Sequence, residues 1–186
     1  RLCHVILEAA IGFSKADRGS LLLLEKAGDV EILDARVTLN ARGAIPPTSD
    51  EFFVSKTIVS QVIDGGVSVI LSDAQKDERF SAQDSVVIQS IRSVLCVPIQ
   101  SQQKIQGVIY LDARSQSGLF YEHELELLTA IGKQAGIALE RARLFNQLQG
   151  LFYDTIQTLV EAIEAKDVYT RGHSERVSAY AMLLGE

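Results

Sequence analysis

SVLCVPIQSQQKIQGVIYLDA, residues 93–113, sets two apolar runs rich in valine and isoleucine on either side of a polar QSQQK. Runs of this length and composition, joined by a short polar segment, read as an antiparallel hairpin. Pro98 lacks the N–H that a ladder on both sides would need, so its strand has a free edge nearby. Upstream, SLLLLE follows the turn residues Asp17, Arg18 and Gly19 and reads as a buried strand. VEILDARVTL, beyond the Gly28-Asp29 turn, reads as its antiparallel partner, and VSVIL at residues 67–71 as a further strand. The expectation is an α+β chain with five or six antiparallel strands.

Helical spacing frames these strands. Leu2, Val5, Ile6, Ala9, Ala10 and Phe13 mark a first amphipathic helix. Residues 40–50, with Gly43 and the Pro46-Pro47 pair, read as loop. Ile58, Val59, Val62 and Ile63 form a short helix behind Ser55, which has the chemistry of an N-cap, and Gly65-Gly66 ends it. SDAQKDERFSAQDS is polar loop, and residues 85–91 hold a further helical turn or two. From Glu122 to about Asp167 there is no proline and little turn signal, so one long helix is expected. Leu128, Ala135, Ala142, Gln149, Ile156 and Ile163 recur every seven residues, and Ile131, Ala138, Phe145, Phe152 and Leu159 interleave with them. This is a heptad seam interrupted once, at Gln149. Its first part, Leu128 to Ala138, packs on the chain's own sheet, with Gly132, Ala135 and Gly136 allowing close approach. Beyond it, Phe145, Phe152, Ile156, Leu159 and Ile163 need a partner helix, and a parallel homodimer is the economical one. Gln149 and Gly150 then mark a kink or a register device.

Composition bounds the function. Of 186 residues, 47% are hydrophobic and 23% charged, enough to bury a core. A formal charge of −6, with no basic stripe, argues against a nucleic-acid duplex or an anionic membrane as partner. Runs such as Leu21 to Leu24 are too short to cross a bilayer. Cys3 and Cys96 have no metal-binding spacing, and Cys96 sits in a strand as a small hydrophobe, so a reducing, cytoplasmic setting is expected. A first residue of Arg rather than Met points to an excised piece of a longer protein.

SKTIVSQVIDGGVSVILSDAQKDERF, SIRSVLCVPI, GVIYLDA and FYEHELELLTAIGKQAGIALERARL, in that order, resemble a GAF domain, and the resemblance covers residues 1–145. It implies a GAF/PAS-like six-stranded antiparallel sheet, with the terminal helices on one face and a small-ligand pocket on the other. Phe80, Ser85, Arg92 and Tyr110 are the implied pocket residues. GAF domains that bind cyclic nucleotides carry an Asn-Lys pair where this sequence has Ala113-Arg114, and an acidic pair where it has Glu122-His123 after Phe120. Cys3-His4 is similar to the pair on which some GAF photoreceptors hold a bilin, but it lies on the first helix. Methionine-sulfoxide-reducing GAF enzymes use several cysteines, unlike this pair.

LVEAIEAKDVYTRGHSERV, residues 159–177, resembles the opening of HD-GYP phosphodiesterases, which hydrolyse cyclic diguanylate. The match rests on Asp167, Tyr169, Thr170, Gly172, His173, Ser174, Arg176 and Val177. By that resemblance His173 is a metal ligand in the intact protein, and Tyr169, in place of a glutamate, points to a two-metal centre of iron or manganese. A lone histidine holds no catalytic metal, so no cofactor and no catalysis are expected of these residues alone. The expected organisation is a GAF sensory domain over 1–145, a linker helix and coiled coil over 146–166, and the truncated start of an HD-GYP domain over 167–186. Residues 167–186 are expected to be mobile, or ordered by another chain, because Val177, Tyr180, Ala181 and Leu184 lack partners. The functional expectation is the sensory part of a bacterial signal-transduction protein. It would bind a small ligand, dimerise, or both, and so control a downstream phosphodiesterase. A ligand-free structural dimerisation module is the alternative, and a self-sufficient phosphohydrolase is disfavoured by the absence of a second His-Asp cluster.

Overall fold

The computed structural model describes residues 2–27, 30–40, 43–46, 54–74, 91–102, 104–114, 116–166 and 172–184. Ten elements follow in order. They are α1 (Leu2–Ser14), β1 (Arg18–Ala27), β2 (Val30–Asn40), β3 (Gly43–Ala44), α2 (Lys56–Gly65), β4 (Val69–Leu71), β5 (Ser93–Ser101), β6 (Lys104–Ala113), α3 (Glu122–Lys166) and α4 (His173–Leu184). The strands form one six-stranded sheet in the order β3-β2-β1-β6-β5-β4, and every neighbouring pair is antiparallel. The quoted hairpin is β5–β6, near the middle of the sheet. β4 pairs only with Val94 to Cys96, which leaves β5 unpaired on that side at Pro98, where the missing N–H costs nothing.

The chain forms two compact units, residues 1–139 and 140–186. In the first, alternation along the strands feeds two cores. One face of the sheet packs Leu21, Leu95, Val97, Ile109 and Leu111 against Leu7 and Ala10 of α1 and Leu128 and Ala135 of α3. The other packs Leu22, Val94, Cys96, Val108 and Tyr110 against Ile58, Val59 and Val62 of α2. Two-sided burial is why β5 and β6 read as continuous apolar runs. α3 reaches the sheet through small residues. A Cβ added to Gly132 would lie 2.5 Å from the Pro98 carbonyl oxygen, and one on Gly136 would collide with the Gln100 backbone. A bulge between Ile99 and Gln100 aims Gln106 at this contact, and its amide Nε2 donates to the Gly136 carbonyl at 3.0 Å.

Several sequence expectations shift. β3 lies in the stretch read as loop. Ser55 occupies the N-cap of α2, but its side chain makes no capping hydrogen bond. Gly66, at φ 63°, ends α2 in the left-handed region, where glycine carries no Cβ penalty. α3 is helical throughout Gln149 and Gly150. The helical turn expected at 85–91 lies outside the described residues, except Ile91, which is buried core.

Candidate functional site

On the α2 face of the sheet, polar residues occupy adjacent rungs. Ser20 pairs in register with Thr38 on one side and Tyr110 on the other, and the Ser20 and Thr38 hydroxyls lie 3.0 Å apart. One rung along, Arg18 faces Asp112, and its Nε donates to both carboxylate oxygens at 2.8 and 2.9 Å. Both side chains are buried. Burial pushes the Asp112 carboxyl above its ordinary value, against the pull of the Arg18 hydrogen bond and charge. Burial likewise raises the Tyr110 phenol, reinforced by Asp112. Its hydroxyl is buried and turned to the Ser55 backbone, which pulls the phenol the other way.

Beside this row, between α2 and strands β1 and β2, lies a groove of about 500 Å³. Leu22, Leu33 and Ala35 form its sheet side, and Val54, Val59 and Ile63 its helix side. Asp34, Lys56 and Ser60 are its polar lining. A β-bulge builds the sheet side. The β1–β2 register steps from Leu21↔Val37 to Leu22↔Ala35, leaving Arg36 extra. Across that step the alternation inverts: Val37 and Leu39 pack on the α1/α3 face, Leu33 and Ala35 on the α2 face. Arg36 pairs with Glu25, and its Nε lies 3.3 Å from Asp34 Oδ2. Volume and apolar walls are those of a small-molecule site.

Of the four pocket residues expected from sequence, Phe80 and Ser85 lie outside the described residues. Arg92 is exposed and does not line the groove; its backbone bridges Ala74 and Ala113. Tyr110 is buried beneath α2 but does not line the groove either. Lys56, Leu33 and Ala35, which do line it, escaped the sequence reading. Cys3 is half-buried on α1, and Cys96 is buried with its thiol pushed far up by desolvation, so Cys96 is not an activated nucleophile.

In the second unit the expected helix face is bare. Phe145, Phe152, Ile156, Leu159 and Ile163 are all exposed, Phe152 at 62%. Leu144, Leu148 and Leu151 are exposed as well and widen the face. Through Leu148 the apolar positions 145, 148, 152, 156, 159 and 163 run at spacings of three and four, passing beside Gln149. His173 opens α4 and is exposed, and among the described residues no three His, Cys, Asp or Glu side chains gather to hold a metal. No described helix is long and apolar enough to cross a membrane.

Among curated proteins, the chain is 33% identical over 156 residues to the dual 3',5'-cyclic-AMP and -GMP phosphodiesterase 11A of Takifugu rubripes, covering 80% of this chain and 17% of that protein. It is 28% identical over 112 residues to the hybrid signal transduction histidine kinase G of Dictyostelium discoideum, covering 59% and 3%. The chain thus spans a small part of these relatives' length. Among solved structures, GAF3 of Slr1393 from Synechocystis sp. PCC6803 superposes with a TM-score of 0.63 at 16% identity, over 80% of this chain and 97% of that one. The type II free methionine-R-sulfoxide reductase of Thermoplasma acidophilum does so at 0.52 and 16%, over 73% and 90%. Those likenesses speak for the fold. The GAF domain family model matches residues 1–139, the unit that carries both cores and the groove, and the chain belongs to the GAF domain family.

Proposed function

We propose that this chain is the sensory part of a bacterial signalling protein: its GAF unit binds a small molecule, and α3 carries the response, in a parallel homodimer, toward an HD-GYP domain that hydrolyses cyclic diguanylate. The GAF unit acts here as a regulatory module, as relatives of it belong to a phosphodiesterase and a histidine kinase. The observation that carries the reading is α3 itself. One helix begins against the sheet at Leu128 and Ala135 and continues without interruption into residues whose apolar side chains have no cover. An exposed apolar seam with heptad-like spacing is stabilised by a second helix of the same kind. A shift in how two such helices pack is a two-state change that a ligand can bias. The HD-GYP part of the proposal rests on the resemblance of residues 159–177, and His173 would join the metal centre there.

The test is the solution mass of the chain by light scattering, beside a copy ending at Leu144, and oxidative cross-linking of Phe152→Cys. A dimer that needs the residues beyond 144 and cross-links through position 152 is expected. Monomers in both cases, with no cross-link, would sink the dimer reading. Hydrolysis of cyclic diguanylate by the intact protein, lost on His173→Ala, tests the downstream assignment.

A further inference from the structure

β2 leaves a long edge of the sheet open. It pairs with β1 along its length, but on its other side β3 meets only Leu39 and Asn40, and the Thr38 carbonyl accepts Ile45 N–H. From Val30 to Ala35 the pairing with β1 keeps an unbroken register, Ala27↔Val30 through Leu22↔Ala35, and the bulge lies past its end. Among the described residues no strand and no backbone group bonds the outer side of this stretch. The N–H and C=O groups that point outward from such an edge are a template for another extended chain, whose main chain can bond several of them at once. Edges are commonly blocked by lysine or proline. VEILDA, residues 30–35, contains neither, and its Ile32 is 47% exposed.

The side chains along the edge say which chain fits. Leu33 and Ala35 form part of the sheet side of the aliphatic groove, so residues of an added strand that stand beside them meet an apolar wall. At the alternate position, Asp34 lies against Arg36, which also pairs with Glu25. Two carboxylates share one guanidinium there, all three half-exposed, and the excess negative charge favours a cationic neighbour across the strands.

We propose that the open edge of β2 takes an extended peptide segment of a partner protein as a seventh strand, with aliphatic residues beside Leu33 and Ala35 and lysine or arginine between them. This adds a protein partner to the sensory reading above and does not depend on it.

The test is fluorescence anisotropy of a labelled six-residue peptide of alternating valine and lysine, titrated with the whole chain, beside the same peptide with glutamate for lysine. The lysine peptide should bind about tenfold more tightly. Successive N–H groups of a strand point to opposite sides, so only one alternate set can bond the edge. N-methylation of that set should cost about fivefold per group, and N-methylation of the other set little. Amide hydrogen exchange, followed by NMR, should slow on peptide binding within residues 30–37. Glu25→Lys should reverse the preference between the two peptides, with thermal unfolding showing that the variant is folded. No binding, equal affinity for both peptides, equal loss from both methylated sets, or slowed exchange elsewhere overturns the proposal. If exchange at 30–37 is already slow in the free chain and a copy ending at Leu144 still dimerises, a second copy holds the edge and the proposal also falls. The Phe152→Cys cross-link is unaffected by any of these outcomes, so the sensory reading stands or falls by its own test.

Discussion

Replacing Arg18 by methionine keeps the length of the side chain and removes the charge that faces Asp112. The Asp112 side chain is 0% exposed and already titrates above its ordinary value of 3.8, because burial outweighs the pull of Arg18. Without the guanidinium, the largest influence favouring the charged form disappears and the pKa climbs further. Stripping one partner from a buried ion pair costs about 3–5 kcal/mol. Spread over the 139 residues of the GAF unit, that is a fall of about 10–17 °C in melting temperature. The sign of the pH dependence follows. Above 3.8 and below its folded pKa, Asp112 holds a proton in the folded state that it has lost in the unfolded one, so stability falls as pH rises, by up to about 1.4 kcal/mol per unit. The penalty is absent below the unfolded pKa and complete above the folded one. Urea denaturation followed by circular dichroism from pH 4 to 8 should show the variant's deficit growing with pH, over a wider range than in the parent. Adding Asp112→Asn should flatten that growth. A deficit that is the same at every pH, or that Asp112→Asn leaves untouched, would refute the account of the pair.

Gly136→Ala should destabilise by about 1–3 kcal/mol, because the added methyl meets the Gln100 backbone, whereas Gly150→Ala, with nothing within 4 Å, should stabilise by about 0.5–1 kcal/mol in the same denaturation series. Alkylation with iodoacetamide, read by mass spectrometry, should label half-buried Cys3 in the native protein and reach Cys96 only in denaturant; rapid native labelling of Cys96 would contradict its burial. If the helix seam steps through Leu148, Leu148→Glu should weaken self-association by about tenfold or more in sedimentation, while Gln149→Leu should change it little; the reverse ranking would restore Gln149 to the seam.

The strands were legible because burial on both faces writes itself as long apolar runs, and the glycines at the end of α2 announced its stop. What escaped was made by the backbone. Leu33, Ala35, Val37 and Leu39 alternate without a break and in an ideal strand would share one face. The bulge at Arg36 sends the first two to the α2 face and the last two to the opposite core, and only the first two can line the groove. No periodicity in VEILDARVTL marks that step. β3 was missed for a related reason: a pairing of Leu39 with Ala44 and Asn40 with Gly43 is too short to carry any pattern. Arg92, just before β5, is exposed, and its backbone receives Ala74 N–H and gives its own to Ala113.

In α3 one period serves two purposes, and residue size separates them. Positions 128, 131, 135 and 138 share the seven-residue rhythm of 145, 152, 156, 159 and 163, but Leu128, Ile131 and Ala135 pack into the sheet's core and the second set is bare. A helix that must lie on β5 needs glycine and alanine where carbonyls approach, and Gly132, Ala135 and Gly136 supply them. Helices that pack on one another use side chains long enough to interdigitate, and positions 145, 148, 152, 156, 159 and 163 are phenylalanine, leucine and isoleucine. The change from small to large therefore marks where packing within the domain gives way to an exposed apolar face. An ideal helix also drifts by about 20° per heptad against a strict seven-residue repeat, so a straight α3 cannot present both sets on one line. Leu148, three residues after Phe145 and four before Phe152, sits within that same seven-residue step and keeps an apolar residue beside Gln149.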